Sequence, residues 1–322
     1  MTLTCAIGYY ISIDCLRALV ITFGIRKNLI LLTLVIGSTF EFYRSFTVTI
    51  KQRFTPLPDI VQRIEYKIQN PTTSLVAVAK LIETEPVLTG RILKLANSVM
   101  YGGGRAESKS LSMAIGRLGL ETVRELVYSF ALSQFNSSSM MIDTNEFWRH
   151  GLAVAILSKL LSKKVGHKTF DQDTAYLAGL MHDVGIIVFS FLMTDEYDTF
   201  LETVSDDDAP LDYLEQNKFV IDHAELGAEF LEKTWQISGV ISASVRKHHG
   251  DFFASPKKPR VESIVQVANR LCNDHGISNG INVSTDIWED KYLTGIGIRA
   301  DLKDKIMEDL DRAIVNIETM LI

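Results

Sequence analysis

The sequence predicts an all-α protein, a helical domain built from two helical halves. Apolar residues recur at three- and four-residue spacing from Thr55 onward, prolines punctuate those runs, and no stretch alternates apolar and polar side chains as a half-buried strand would. No internal repeat is present. With 322 residues the chain can bury a substantial core, as one large domain or two of ordinary size.

Residues 1–48 stand apart from the rest. Runs 6–24 and 29–37 are apolar, but Asp14 and Arg17 interrupt the first, and the second is too short to span a bilayer comfortably. A positive charge at the very start and a small-residue cleavage site, the marks of a signal peptide, are both unclear. Three readings stay open: a membrane-associating segment, an apolar extension packed on the domain, or sequence upstream of the true start. Membrane association is expected only through this segment.

From 49 the elements follow in order. Leu57, Ile60, Val61, Ile64 and Ile68 share one face of a first helix, which stops at Asn70 because a residue before proline is pushed out of helical conformation. Thr72 or Thr73 is the expected N-cap of a helix carrying Leu75, Val78, Ala79 and Ile82. Pro86 opens a third, with Leu88, Ile92, Leu95 and Val99 inward, ending at Gly102-Gly103-Gly104. No strand precedes those glycines and no Gly-Lys-Ser/Thr follows, so they read as a helix stop and not a phosphate cradle. Helices over 112–117 and 120–135 meet at Gly119 in the outline of a helix-turn-helix. The second spends its length on Val123, Leu126, Val127, Phe130 and Ala131 and keeps a single basic residue, Arg124, so packing outweighs DNA reading.

The serine-rich stretch 136–141 is the expected junction between the halves, 49–136 and 142–275. Beyond it, helices are expected over 147–163, 171–191, 221–233, 237–249 and 261–273, with an acidic turn at 206–208 and a polar loop at 251–260. Residues 276–322 form a loop and then an amphipathic helix on Leu302, Ile306, Leu310, Ile314 and Ile317, packed on the domain.

A net charge of −6 and a pI near 5.7 disfavour binding of nucleic acid by an extended basic surface. Cys5, Cys15 and Cys272 show no CxxC spacing and no disulfide framework, so a reducing cytoplasm is the expected setting.

The chemistry concentrates in 175–188, AYLAGLMHDVGIIV, where His182 and Asp183 interrupt an apolar run. A buried carboxylate there is costly unless a metal, a cation or several donors compensate it. His150 upstream and His223, His248 and His249 downstream are the candidate partners, and donors spread over several helices suit a site inside a helical bundle. Each of these histidines is otherwise an ordinary hydrogen-bonded core residue. Arg246 and Lys247 are candidates for holding a phosphate beside the cluster.

Two blocks resemble the HDOD domain, over roughly residues 52 to 272. The first holds Pro56-Leu57-Pro58, Glu85-Pro86-Val87-Leu88, Leu93-Lys94-Leu95-Ala96-Asn97-Ser98 and Ala114-Ile115-Gly116-Arg117-Leu118-Gly119. The second holds Phe147-Trp148-Arg149-His150, Ala178-Gly179-Leu180-Met181-His182-Asp183-Val184-Gly185, His223-Ala224-Glu225-Leu226-Gly227, Trp235 and His248-His249. The HDOD domain is an all-α branch of the HD superfamily, whose enzymes are metal-dependent phosphohydrolases.

The resemblance implies a divalent-metal site (Mn, Fe, Mg or Ni) at His150, His182 and Asp183, with His223, His248 and His249 as the further ligands of the cyclic-dinucleotide branch. Asn269 stands where the enzymes place a second carboxylate. An amide oxygen is a poorer ligand and removes one negative charge. The Gly-Tyr-Pro signature of the cyclic-di-GMP phosphodiesterases is replaced by Gly250-Asp251-Phe252-Phe253-Ala254. The resemblance therefore implies a non-catalytic bacterial signalling module that acts through protein partners, with the 57–98 region as a candidate surface. The second reading is a metal-dependent phosphohydrolase acting on a nucleotide or cyclic nucleotide.

Overall fold

The computed structural model describes residues 57–321 except 103–105, 135–138, 167–171, 206, 238, 251, 253–258 and 282–287, and of residues 100 and 315–321 it describes only the backbone. The segment 1–48 and most of the 251–260 loop lie outside the described residues. Among the described residues there are helices and loops and no strand.

The first half holds α1 (Asp59–Gln69), α2 (Leu75–Ile82), α3 (Pro86–Ala96), the single turn α4 (Val99–Gly102), α5 (Leu111–Leu118) and α6 (Leu120–Ser133). Three details differ from the sequence reading. The cap of α2 is Ser74, whose Oγ accepts the Ala77 N–H at 3.2 Å. Thr72 is occupied in a turn closed by Asn70 Oδ1, which accepts its N–H at 3.0 Å. The third helix stops early, at Ala96. Asn97 turns outward to hold Ser108 through two hydrogen bonds, at 2.8 and 3.2 Å, and Val99 ends up 96% exposed instead of in the core. Between α5 and α6 the chain turns at Gly119, whose φ of 84° is a conformation that side chains with a Cβ rarely adopt. The predicted packing role of α6 holds: Val123, Leu126, Val127, Phe130 and Ala131 are buried, and Glu65 engages Arg124 at 2.9 Å.

The second half is organised around α7 (Thr144–Val165), the longest helix. Asp143 caps it through the N–H groups of Asn145 and Glu146, and Gly166 closes it in left-handed conformation. There follow α8 (Gln172–Met181), α9 (Val184–Leu192), α10 (Thr194–Val204), α11 (Leu211–Phe219), α12 (His223–Phe230) running into a π-turn (Leu231–Trp235), α13 (Gly239–Arg246) and α14 (Val261–Asp274). A short α15 (Lys291–Gly295), a 3₁₀ turn (Ala300–Leu302) and α16 (Lys303–Leu321) complete the chain. The α7 helix packs on α8, α14 and α16, and α16 also reaches α3 and α6. One continuous apolar cluster therefore runs through both halves.

Two glycines set how closely the central helices approach. A Cβ on Gly179 of α8 would lie 2.9 Å from the Val154 carbonyl oxygen of α7. A Cβ on Gly185 of α9 would lie 1.9 Å from the His223 carbonyl oxygen and 2.8 Å from the Gly227 nitrogen, both on α12. The run Gln172–Leu192 has a mean hydropathy of 1.7 in its most apolar window, and 89% of that window is buried in the fold. Nearly all of its apolar side chains are buried in the core, Phe191 being exposed.

Candidate metal centre

The apolar run around the doublet is not one helix. It breaks at His182 and Asp183, between α8 and α9. His182 turns its ring back so that Nδ1 meets the Gly179 carbonyl at 2.8 Å. His248, just past the end of α13, does the same with the Val245 carbonyl at 2.6 Å. Both rings satisfy carbonyls that the last turn of a helix leaves without an intrahelical partner. His150, one of the inward residues of α7, meets the Ile277 carbonyl through Nδ1 at 2.7 Å. His223 opens α12. Its backbone N–H and its Nδ1 both reach Glu215 Oε2, at 2.7 and 2.6 Å.

A carbonyl or carboxylate oxygen only accepts, so each of these four Nδ1 atoms carries a proton, and in the neutral ring each Nε2 presents a lone pair. The four Nε2 atoms converge on Asp183. His182 and His150 lie 3.1 and 3.8 Å from Oδ2, and His248 and His223 lie 3.4 and 3.6 Å from Oδ1. Facing rings approach equally closely, 3.3 Å for His150 and His182, and 2.9 Å for His223 and His249, whose ring stands at the solvent-facing mouth. In the first pair both Nδ1 atoms are taken, so lone pair faces lone pair, and these repel unless a cation lies between them, either a proton or a metal.

Burial lowers the His150 pKa to about 4, helped by His182 and opposed by Asp183. Burial also works against a charge on His223, but Glu215 overcomes it and lifts that pKa to about 10. For Asp183, burial favours the neutral acid, yet the surrounding imidazoles hold its pKa well below the usual carboxylate range.

The residues fit a metal. His248 Nε2 is buried and makes no hydrogen bond, and neither does Gln266 Oε1 across the same cavity. The donor atoms fall into two groups, His150–His182–Asp183 and Asp183–His223–His248–His249. Their separations bracket about 3.3 Å, the edge of a tetrahedron with ~2.05 Å bonds. The Nδ1–H groups of His150, His182, His223 and His248 each engage a carbonyl or a carboxylate, the outer arrangement that orients metal-binding imidazoles. So nitrogen-rich a set suits Fe, Ni or Zn better than Mg, which prefers oxygen.

All six predicted ligands come together here. Arg246 and Lys247 do not join them: Glu225, Glu229 and Glu232 hold the Arg246 guanidinium, Lys247 is exposed, and neither lines the cavity. Among the described residues the cation that lines it is Arg270, which lies over the Tyr292 ring at 4.1 Å. Asn269 lines it too, near His150 and accepting from Asn273 at 3.0 Å.

Sequence reading missed four participants. Asn279 donates to Asp183 Oδ2 at 2.9 Å, and Ile277 lends its carbonyl to His150. Glu215 is fully buried, with the Tyr197 hydroxyl donating to its other oxygen at 2.5 Å. Asp212 lines the cavity one turn earlier on α11, outside both ligand groups, and burial raises its pKa. A signal for Glu215 existed: it lies four residues from both Leu211 and Phe219, on the apolar face of its helix.

Fold and centre together define a helical protein with a histidine–aspartate site of the HD type. The chain belongs to the HDOD domain family, which matches residues 54–250. An HDOD domain protein of unknown function from Geobacter sulfurreducens superposes with a TM-score of 0.70 at 26% identity, over 89% of this chain and 98% of that one. A proposed phosphohydrolase from Shewanella amazonensis SB2B shares the fold, with a TM-score of 0.65 at 22% identity over 86% of this chain and 97% of that one. So does a proposed signal transduction protein from Marinobacter aquaeolei VT8, with a TM-score of 0.66 at 19% identity over 88% and 65%. An uncharacterized protein of Treponema pallidum is 25% identical over 213 residues, 66% of this chain but only 41% of that protein.

Proposed function

We propose that this chain is a signal-transduction module of the HDOD family whose histidine–aspartate centre holds a divalent metal without efficient turnover of phosphate esters. One observation carries the reading: among the described residues Asp183 is the sole carboxylate in either ligand group, and the amides Asn269 and Asn279 stand beside it. Two divalent ions there would keep a large uncompensated positive charge. The adjoining cavity measures about 100 Å³ among the described residues, small beside the ~300 Å³ at which pockets begin to enclose drug-sized ligands. Apolar side chains left exposed on the first half, Tyr66, Val76 and Val87 among them, support a surface for signalling-protein partners there.

The second reading, a phosphohydrolase, is favoured by the way the two oxygens of Asp183 divide the histidines between two groups. A metal pair held by them would supply Lewis acidity and an acidified water. Within the chain, Asp183 would position both ligand groups, and Arg270 would orient an anionic substrate in the cavity. Elemental analysis of protein purified without chelator, with bis(p-nitrophenyl) phosphate hydrolysis measured in added manganese, separates the two. The expected result is bound metal with no turnover that depends on His182. Turnover abolished by His182→Ala would establish the phosphohydrolase instead.

A further inference from the structure

Resting on the reading that the centre holds a metal, we infer that the first divalent ion is taken by His223, His248, His249 and Asp183 Oδ1, and that Glu215 is the positioning residue that sets its affinity. The doublet side, His150 and His182 with Oδ2, is the weaker half.

Three differences between the two halves point the same way. The first is number: among the described residues one side assembles four donor atoms and the other three, with Asp183 shared. The second is the state of the shared carboxylate. Oδ2 already accepts the Asn279 amide at 2.9 Å, so part of its electron density is committed before an ion arrives. The third is charge behind the ligands. On the doublet side the Nδ1–H groups of His150 and His182 meet neutral carbonyls, and the neutral amide of Asn269 faces His150. On the other side Glu215 accepts both N–H groups of His223, and the carboxyl of Asp212 lines the cavity beside them.

A carboxylate behind an imidazole makes it a more basic ligand and fixes the ring, and removing such a partner typically costs 10- to 100-fold in metal affinity. Glu215 is itself fixed, because the Tyr197 hydroxyl holds its second oxygen and Tyr197 stacks on Phe189 with centroids 4.9 Å apart. The ring of His223 therefore has no freedom to turn away from the site.

The test is titration of metal-free full chain with Co²⁺ and with Zn²⁺, followed by calorimetry and, for Co²⁺, by the visible absorption that reports four-coordinate geometry. Thermal unfolding of each metal-free variant confirms folding. Glu215→Gln, which keeps the hydrogen-bonding shape and removes the charge, should weaken the first equivalent 10- to 100-fold. His249→Ala, at the solvent-facing mouth and so safe for folding, should weaken it at least tenfold and change the Co²⁺ spectrum. His150→Ala should leave the first equivalent unchanged. If His150→Ala abolishes it and His249→Ala does not, the assignment of the two halves is wrong although the centre still binds metal. If the unmodified chain binds neither ion, the metal reading itself falls.

Discussion

Replacing Gly185 by alanine tests whether the approach of α9 and α12 builds the centre. The new Cβ would lie 1.9 Å from the His223 carbonyl oxygen, whereas real Cβ atoms essentially never come under 3.0 Å. The two helices must separate by at least the difference, about 1.1 Å. His223 rides on one helix and Asp183 immediately precedes the other, so their 3.6 Å separation should widen toward about 4.7 Å. That exceeds the ~3.3 Å ligand-to-ligand distance of a four-coordinate ion. Overpacking of this kind costs roughly 1–3 kcal/mol. Gly185→Ala should therefore melt lower by several degrees and bind Co²⁺ or Zn²⁺ at least tenfold more weakly, as read by calorimetry and thermal unfolding. An unchanged melting temperature together with unchanged affinity would refute the claim that this close crossing positions His223.

Three further variants follow from contacts described above or from the same core. Asn269→Asp restores an acid beside His150 and should strengthen binding of a second equivalent of metal at least tenfold; an unchanged second equivalent would show that Asn269 is not the weak point. Arg246→Ala breaks the contacts to Glu225, Glu229 and Glu232, so it should cost on the order of 1 kcal/mol of stability and leave metal affinity alone. Glu125, packed between α6 and α7 with Lys159 as its ion-pair partner, has its carboxyl pushed up to about 7 by burial, against the pull of Lys159. A raised carboxyl pKa favours the folded state fully below the unfolded value near 4.5, and that contribution is lost as pH rises through 7. Glu125→Gln should accordingly gain stability relative to the parent as pH goes from 5 to 8, by up to about 3 kcal/mol in chemical denaturation. A difference that stays flat across that range would mean the carboxyl is not buried in this way.

The helical periodicity from Leu57 to Asp274 was readable because each face is written in the chain itself. What it could not show is a break that tertiary contacts impose. Apolar residues continue on both sides of His182 and Asp183, so the doublet reads as mid-helix, and only the ring of His182 turning onto Gly179 ends α8 there. The same limit explains Val99, which keeps the apolar spacing of α3 but lies beyond the point where Asn97 leaves the helix for Ser108. The six candidate ligands, which the fold brings together, were legible from residue type and from the family pattern. Arg246 was misread because its neighbours in sequence are basic, while its partners in space, Glu225, Glu229 and Glu232, lie on the preceding helix and its π-turn at helical spacing. Asn279 and the Ile277 carbonyl come from a loop, where no periodic signal marks which residue turns inward.

The family match ends at residue 250, but Ile277 and Asn279 lie beyond it. A fragment trimmed to that boundary would still contain all five imidazoles of the centre and its acid. It would lack the carbonyl that aims His150, the amide that steadies Asp183, and the α14 and α16 helices that back α7. Such an excised piece would be a poor stand-in for the parent: its metal binding, or the lack of it, would describe the cut and not the protein.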